Sequence, residues 1–384
     1  MSPQTWSGRS RSLIYRSGKR KLFAPYDTWL HRSIRGALPL GCLLLALSGA
    51  ACFLLRTELP SHSFRSMGGL ASVTLGAAYP DRIEPVTVQV RGIFERLERE
   101  LSTYRSDSAI SLLADKAGVA PIAVSDDAYR VLNLGQRFGE LSEGAFDITV
   151  APLVRLWGFG RTPAPAGLPS EETIREQLKL VDYRRLVLEG RTAFLPVKGM
   201  AVDLGGIAKG YAVDRAFDFC RSAGIADFLI DLSGNIRVSG RPQWGEDWQI
   251  GVRDPFDRSR IIGKVSLQSG MALTTSGNYE RFVEIAGQRY SHIIDPRTGY
   301  PATGTAGVTI LCADATTADG LSTSFFVVGL KGAGKLLQKT PSADVLIVPD
   351  KYPIEIWLTP GFAKAFVPIP EFSKAVRLLY PSSP

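Results

Sequence analysis

Residues 201–216 read Ala201-Val-Asp-Leu-Gly-Gly-Ile-Ala-Lys-Gly-Tyr-Ala-Val-Asp-Arg-Ala216: an extended apolar run, two glycines, then a helix. Ala208, Tyr211, Ala212, Ala216 and Phe217 recur near helical spacing, so one face packs down while the first turn points past Gly205 and Gly206. Such a turn favours an anion through its unpaired N–H groups and dipole. Lys209 adds a positive charge, and the glycines allow a phosphate or metal to approach the backbone. The spacing matches neither the P-loop nor the dinucleotide fingerprint. Taken alone, the segment is a phosphate site or a plain strand-to-helix turn.

Outward from this stretch, periodicity predicts helices over 85–101, 126–140, 170–180, 207–223 and 315–330. Strands are expected over 71–77, 192–195, 201–204, 228–232, 248–252, 263–268, 282–285, 307–311 and 345–348. Helices mixed with hairpin-forming strands point to an α+β architecture with mixed, largely antiparallel sheets, not a doubly wound parallel sheet. No repeat is visible, and the one candidate hinge is 161–169.

Two more segments carry polar chemistry. Thr274-Thr-Ser-Gly-Asn-Tyr279 is followed by Arg289-Tyr-Ser-His-Ile-Ile-Asp-Pro-Arg-Thr-Gly299. His292 there has the natural pKa of a general base, although a structural histidine beside an Asp-Pro turn reads equally well. In Ala318-Asp-Gly-Leu-Ser-Thr323, Asp319 and Thr323 share a helical face and offer a carboxylate and a hydroxyl to one hard cation; an ordinary helix-capping Asp is the alternative. Tyr104 in 101–110 and Phe146 in 143–159 could face a flat ring or fill core.

The net charge of +8 over 384 residues is uneven. Residues 1–35 hold eight Lys/Arg against Asp27, which leaves 37 basic and 36 acidic residues for the rest. A near-neutral body implies no extended basic face, so nucleic acid is not an expected partner. Residues 36–55 are uncharged and apolar, and at about 1.5 Å per residue they can cross a hydrocarbon core of about 30 Å. The basic flank keeps 1–35 in the cytoplasm and exports the body to the outer, periplasmic face of the cytoplasmic membrane. The segment reads as an uncleaved anchor, a cleaved signal, or a lipoprotein signal ending at Cys52. Residues 56–66 are expected as a linker and 67–384 as one domain. Cys220 and Cys312 lack the spacing of a metal cluster and read as buried thiols, with a single bridge as the alternative.

Together, in this order and spacing, these segments resemble the ApbE family, once labelled thiamine-biosynthesis lipoproteins and now understood as flavin transferases. The resemblance covers about residues 67–340. It implies an ApbE-like α+β fold with FAD in a central cleft. Met67, Tyr104, Ala145, Phe146 and Asp147 fall where the family contacts flavin; Asp203, Lys209, Ile294 and Ser322 match further cofactor contacts. The Gly206 carbonyl, Asp319 and Thr323 match the magnesium position, and His292 the catalytic base. The implied reaction transfers FMN from FAD to a Thr or Ser hydroxyl of an acceptor protein, an exported domain of a membrane redox complex, and releases AMP. The competing readings are an FAD pyrophosphatase and a non-catalytic flavin-binding protein at the membrane. Ile148 replaces a common Pro after Asp147, and Ser233 the first of two glycines before Asn235. Residues 341–384 carry no usable motif.

Overall fold

Val345, Ile347 and Leu346, Val348 alternate between two separate hydrophobic cores, as the period-two geometry of a strand requires when both faces of a sheet are covered. This computed structural model describes residues 58–159, 167–243 and 245–381; the basic leader, the apolar segment 36–55 and residues 161–166 of the candidate hinge lie outside them. Among the described residues no helix is long and apolar enough to cross a membrane.

The main sheet has nine strands: β1 (Ser61–Ser66), β2 (Gly69–Leu75), β6 (Phe228–Leu232), β7 (Asn235–Ser239), β10 (Ala272–Gly277), β13 (Thr305–Cys312), β14 (Asp344–Pro349), β15 (Ile356–Leu358) and β17 (Val376–Leu378), adjacent in that order. Every pairing is antiparallel except β15 with β17. Three small sheets accompany it: β3 (Ile122–Ala123) with β4 (Val187–Glu189) and β5 (Thr192–Phe194); β8 (Trp248–Arg253) with β9 (Ile261–Leu267) and β16 (Phe366–Pro368); and the hairpin β11 (Phe282–Ile285) with β12 (Gln288–Ser291). The helices are α1 (Ile83–Leu101), α2 (Ala109–Asp115), α3 (Asp126–Leu141), α4 (Ala151–Leu156), α5 (Glu171–Leu178), α6 (Ala208–Ser222), α7 (Ala315–Lys339) and α8 (Pro360–Ala365). The α+β expectation is met.

One sheet face packs on α1, α6 and α7 through Phe94, Val213 and Phe325, and α3 packs on α1 and α7 with Leu132 in the same core. The other packs on β8, β9 and the C-terminal elements through Trp248, Val265, Phe362 and Phe366. β13, the partner of β10 and β14, is buried along its whole length.

Three sequence expectations need correction. From Ser61 the supposed linker is strand β1, turned into β2 by Met67 and Gly68, whose φ values of 48° and 73° describe a type I′ hairpin turn. Residues 201–204 are extended but pair with no strand; the Asp203 amide donates to the Ile148 carbonyl at 2.7 Å instead. The helix expected to end at 330 breaks at the non-helical Gly329, and a second helical segment, not expected, follows it to Lys339. Cys220 and Cys312 are free and buried, and burial pushes both thiols up to about 12.

Candidate active site

Helices α6 and α7 build the centre of the site. A side chain at Gly210 would collide with α7, its Cβ 2.2 Å from the Ala315 carbonyl oxygen and 2.7 Å from Asp319 Cβ, so glycine is what lets the two helices touch. The Gly210 amide donates to Asp319 Oδ2 at 2.9 Å, and the Lys209 amide also bonds this carboxylate. Ile207, at the N-cap of α6, supplies no side-chain cap; Asp319 does so from the neighbouring helix. The first turn is therefore not an open anion site. Its amides at Lys209 and Gly210 hold Asp319, and the Gly205 amide donates to Asp203 Oδ1 at 2.8 Å.

Gly206 stands beside Thr323 and Phe146: a Cβ there would lie 3.0 Å from Thr323 Oγ1 and 3.0 Å from Phe146 Cε2. Asp319 is buried and its pKa is raised by that burial, with the Lys209 charge acting in the opposite direction. Among the described residues no three His, Cys, Asp or Glu side chains form a metal cluster. A cation here would instead take a mixed oxygen set of carbonyl, carboxylate and hydroxyl, which suits a hard divalent ion, and a buried carboxylate raised in pKa gains from such a partner. Lys209 folds back onto the Gly205 carbonyl at 2.8 Å. Ser322 bonds the Asp319 carbonyl at 2.8 Å and shares a 2.8 Å bond with Ser276 of β10, tying α7 to the sheet.

His292 is half-buried at the end of β12. Burial pushes its pKa down to about 4; the Arg281 carbonyl acts upward, and the charges of Lys209 and Arg281 add to the fall. The imidazole is neutral at neutral pH. The Phe159 ring meets it edge-on at 6.3 Å between centroids, and the Phe159 carbonyl accepts from the Tyr104 hydroxyl at 2.9 Å. Tyr104 lines a cleft of about 280 Å³ with Asp203, Ala151 and Arg155; its half-exposed ring offers a flat face there. Arg281 donates to the Gly68 carbonyl at 3.4 Å, which brings the Met67–Gly68 turn to the hairpin that carries the histidine.

The side chains of three expected contact residues are bonded or buried within the chain. Both Asp147 oxygens are engaged within the chain, Oδ1 by the Thr149 amide and hydroxyl and Oδ2 by the Tyr183 amide at 2.9 Å. Ala145 is fully buried. The Ile294 side chain packs with Trp157 and Ile285 in a satellite core, while Asp295 forms the expected turn through the Arg297 and Gly299 amides. Ser276 and Arg281 were not singled out by sequence; both lie in or beside the Thr274–Tyr279 cluster.

The ApbE family matches residues 67–347. The FAD:protein FMN transferase of Vibrio cholerae serotype O1 is 34% identical over 278 residues, 71% of this chain and 83% of that protein. That of Treponema pallidum is 35% identical, over 68% of this chain and 77% of its own length. The crystal structure of the ApbE protein of Thermotoga maritima superposes with a TM-score of 0.72 at 33% identity, covering 80% of this chain and 99% of that one. The chain belongs to the ApbE family.

Proposed function

We propose that this protein transfers FMN from FAD to a Thr or Ser hydroxyl of an acceptor protein, with Mg²⁺ as cofactor and AMP as leaving group. The observation that carries the reading is the approach of Gly206 to Thr323 and of Asp319 to the first turn of α6 at the α6–α7 crossing, with the Lys209 charge acting on both Asp319 and a neutral His292. The relatives are named for FMN transfer from FAD to a protein, which supports the class of reaction.

The acceptor oxygen attacks the phosphorus of the FMN half, and the bond to the AMP oxygen breaks. A hydroxyl is a weak nucleophile, so its proton must leave as the new bond forms. His292 Nε2 takes that proton. Lys209, released from the Gly205 carbonyl, offsets the negative charge that grows on the pyrophosphate, and Tyr104 offers its ring to the flavin. Gly206, Asp319 and Thr323 would hold the magnesium ion, which would supply charge neutralisation to the pyrophosphate. The acceptor is an exported domain of a membrane redox complex, and residues 36–55 hold the enzyme at the membrane's outer face, a placement supported by the basic leader before that segment.

The test incubates the full chain with FAD, Mg²⁺ and an acceptor carrying a Thr in an exposed segment, followed by mass spectrometry. An acceptor heavier by one FMN, absent with His292→Ala, supports the proposal. Free FMN and AMP with an unmodified acceptor would replace it with a pyrophosphatase.

A further inference from the structure

Helices α6 and α7 exchange carboxylates at their N-terminal ends. Asp319 on α7 caps the first turn of α6. In return, Asp214 on α6 reaches the first turn of α7. Its Oδ1 accepts from the Ala315 amide at 2.9 Å, and its Oδ2 from the Thr316 amide at 2.8 Å and from the Thr316 hydroxyl. Arg237 of β7 completes the set, donating to Oδ1 at 2.8 Å with its guanidinium 3.9 Å from the Phe217 ring centroid. The N-cap of α7, Asp314, serves only the Thr317 amide, so two orphan donors of this helix depend on Asp214.

Asp319 and Thr323 ride on α7, whereas Gly206 precedes α6. Whether carbonyl, carboxylate and hydroxyl meet is therefore set by how α7 is placed along α6. The Gly210–Ala315 contact fixes the distance between the helices, and polar bonds fix the sliding of one along the other: Asp319 with the Gly210 amide near the site, and Asp214 with two successive amides, Ala315 and Thr316, at the start of α7.

We propose that Asp214 is a positioning residue for the cation site, holding α7 in the register at which Asp319 and Thr323 face Gly206. The proposal rests on reading those three residues as cation ligands. Asn at 214 would turn an amide N–H toward one of the donors of Ala315 or Thr316, so it breaks half the cap while keeping the shape. Residues that orient metal ligands from behind typically change metal affinity by about 10–100-fold.

The experiment measures Mn²⁺ binding to the full chain with FAD present, from the free-ion electron paramagnetic resonance signal, independently of flavin transfer. Asp214→Asn is expected to raise the Mn²⁺ dissociation constant at least about tenfold, and Thr316→Val, which removes one hydroxyl bond, about threefold. Thr359→Ala is the control: Thr359 caps α8, which carries none of the ligands, and its loss should lower the melting temperature with Mn²⁺ affinity unchanged. The proposal is overturned if Asp214→Asn binds Mn²⁺ as the unaltered chain does, or if Thr359→Ala weakens binding equally. Should Asp214→Asn not fold, an unchanged affinity in Thr316→Val overturns it. A chain that binds Mn²⁺ in this pattern but transfers no flavin would end the transferase reading and leave the role of Asp214 standing; one that transfers flavin and binds no Mn²⁺ would do the reverse.

Discussion

His292 Nδ1 lies 3.0 Å from the carbonyl oxygen of Arg281, which also accepts the His292 backbone amide at 3.2 Å. A carbonyl only accepts, so Nδ1 carries the proton and Nε2 keeps its lone pair. With burial holding the pKa at about 4 against an ordinary 6.5, the base is ready over the whole neutral range. Flavin transfer under kcat/KM conditions is expected to be flat from neutrality to about pH 5 and to fall near pH 4 with unit slope. His292→Gln should lower the rate by about 10²–10⁴-fold and abolish that limb. A limb centred near 6.5 would mean that the imidazole is not desolvated in the working enzyme.

The same shift has a sign for stability. The folded pKa is depressed, so the contribution of neutral His292 is complete above about 6.5 and is lost as pH falls through about 4. Urea midpoints measured between those limits should fall more steeply for the unaltered chain than for His292→Gln; parallel curves would assign acid unfolding to other groups.

Asp319 behaves in the opposite sense. Burial raises its folded pKa, so without a cation its ionised form costs stability that is regained as pH falls. Asp319→Asn keeps an oxygen for the Gly210 amide and removes the buried charge. The metal-free variant should therefore melt at or above the temperature of the parent, while the gain in melting temperature on adding Mg²⁺ disappears and transfer falls by several kcal/mol of transition-state stabilisation, about 10³-fold or more. Calorimetry with and without Mg²⁺ decides this. A variant still stabilised by the ion would move the cation elsewhere.

Gly210→Ala separates helix propensity from packing. In an isolated helix the change gains about 1 kcal/mol. Here the added methyl meets the Ala315 carbonyl oxygen at 2.2 Å, so α6 and α7 must part, at an expected cost of about 1–3 kcal/mol from overpacking. Denaturant unfolding should show a net loss of stability, with Mg²⁺ affinity reduced as well. A gain in stability would mean that the helices are not in contact at this point.

What the sequence disclosed follows the range of the interactions. Local signals were sufficient for α1, α3, α6 and most strands, because amphipathic spacing reports one buried face. The hairpin turn at Met67–Gly68 is hidden from sequence, since Met at φ 48° carries no turn signature. Residues 201–204 look like a strand because apolar alternation does not reveal whether a neighbour exists to pair with. At the site, types and spacing singled out His292, Asp319 and Thr323. The cross-helix bonds of Asp319 to Gly210 and of Asp214 to Thr316 join residues about a hundred positions apart, and no periodicity within one helix can show them. Asp147 shows what no local pattern carries: a flavin contact there is implied by the family resemblance alone, and the amides that engage both of its side-chain oxygens appear only in the fold.

The C-terminal segment had no readable motif and extends past the family match at 347, yet it closes the second core. Ile356, Leu358, Phe362, Phe366, Phe372 and Leu379 are all buried; all but Leu379 belong to the cluster that includes Trp248 and Val265, and β16 pairs with β9. At about 1.5–3 kcal/mol for each buried side chain, the six together are worth on the order of 10 kcal/mol, comparable with the whole stability of about 5–15 kcal/mol of an ordinary domain. Ending the chain at Pro349 should therefore abolish cooperative melting and near-ultraviolet circular dichroism. Val367→Asp, at an exposed position of β16, should leave both within error. A truncated chain that still melts cooperatively within a few degrees of the parent would show that β8, β9 and the main sheet can close this core alone.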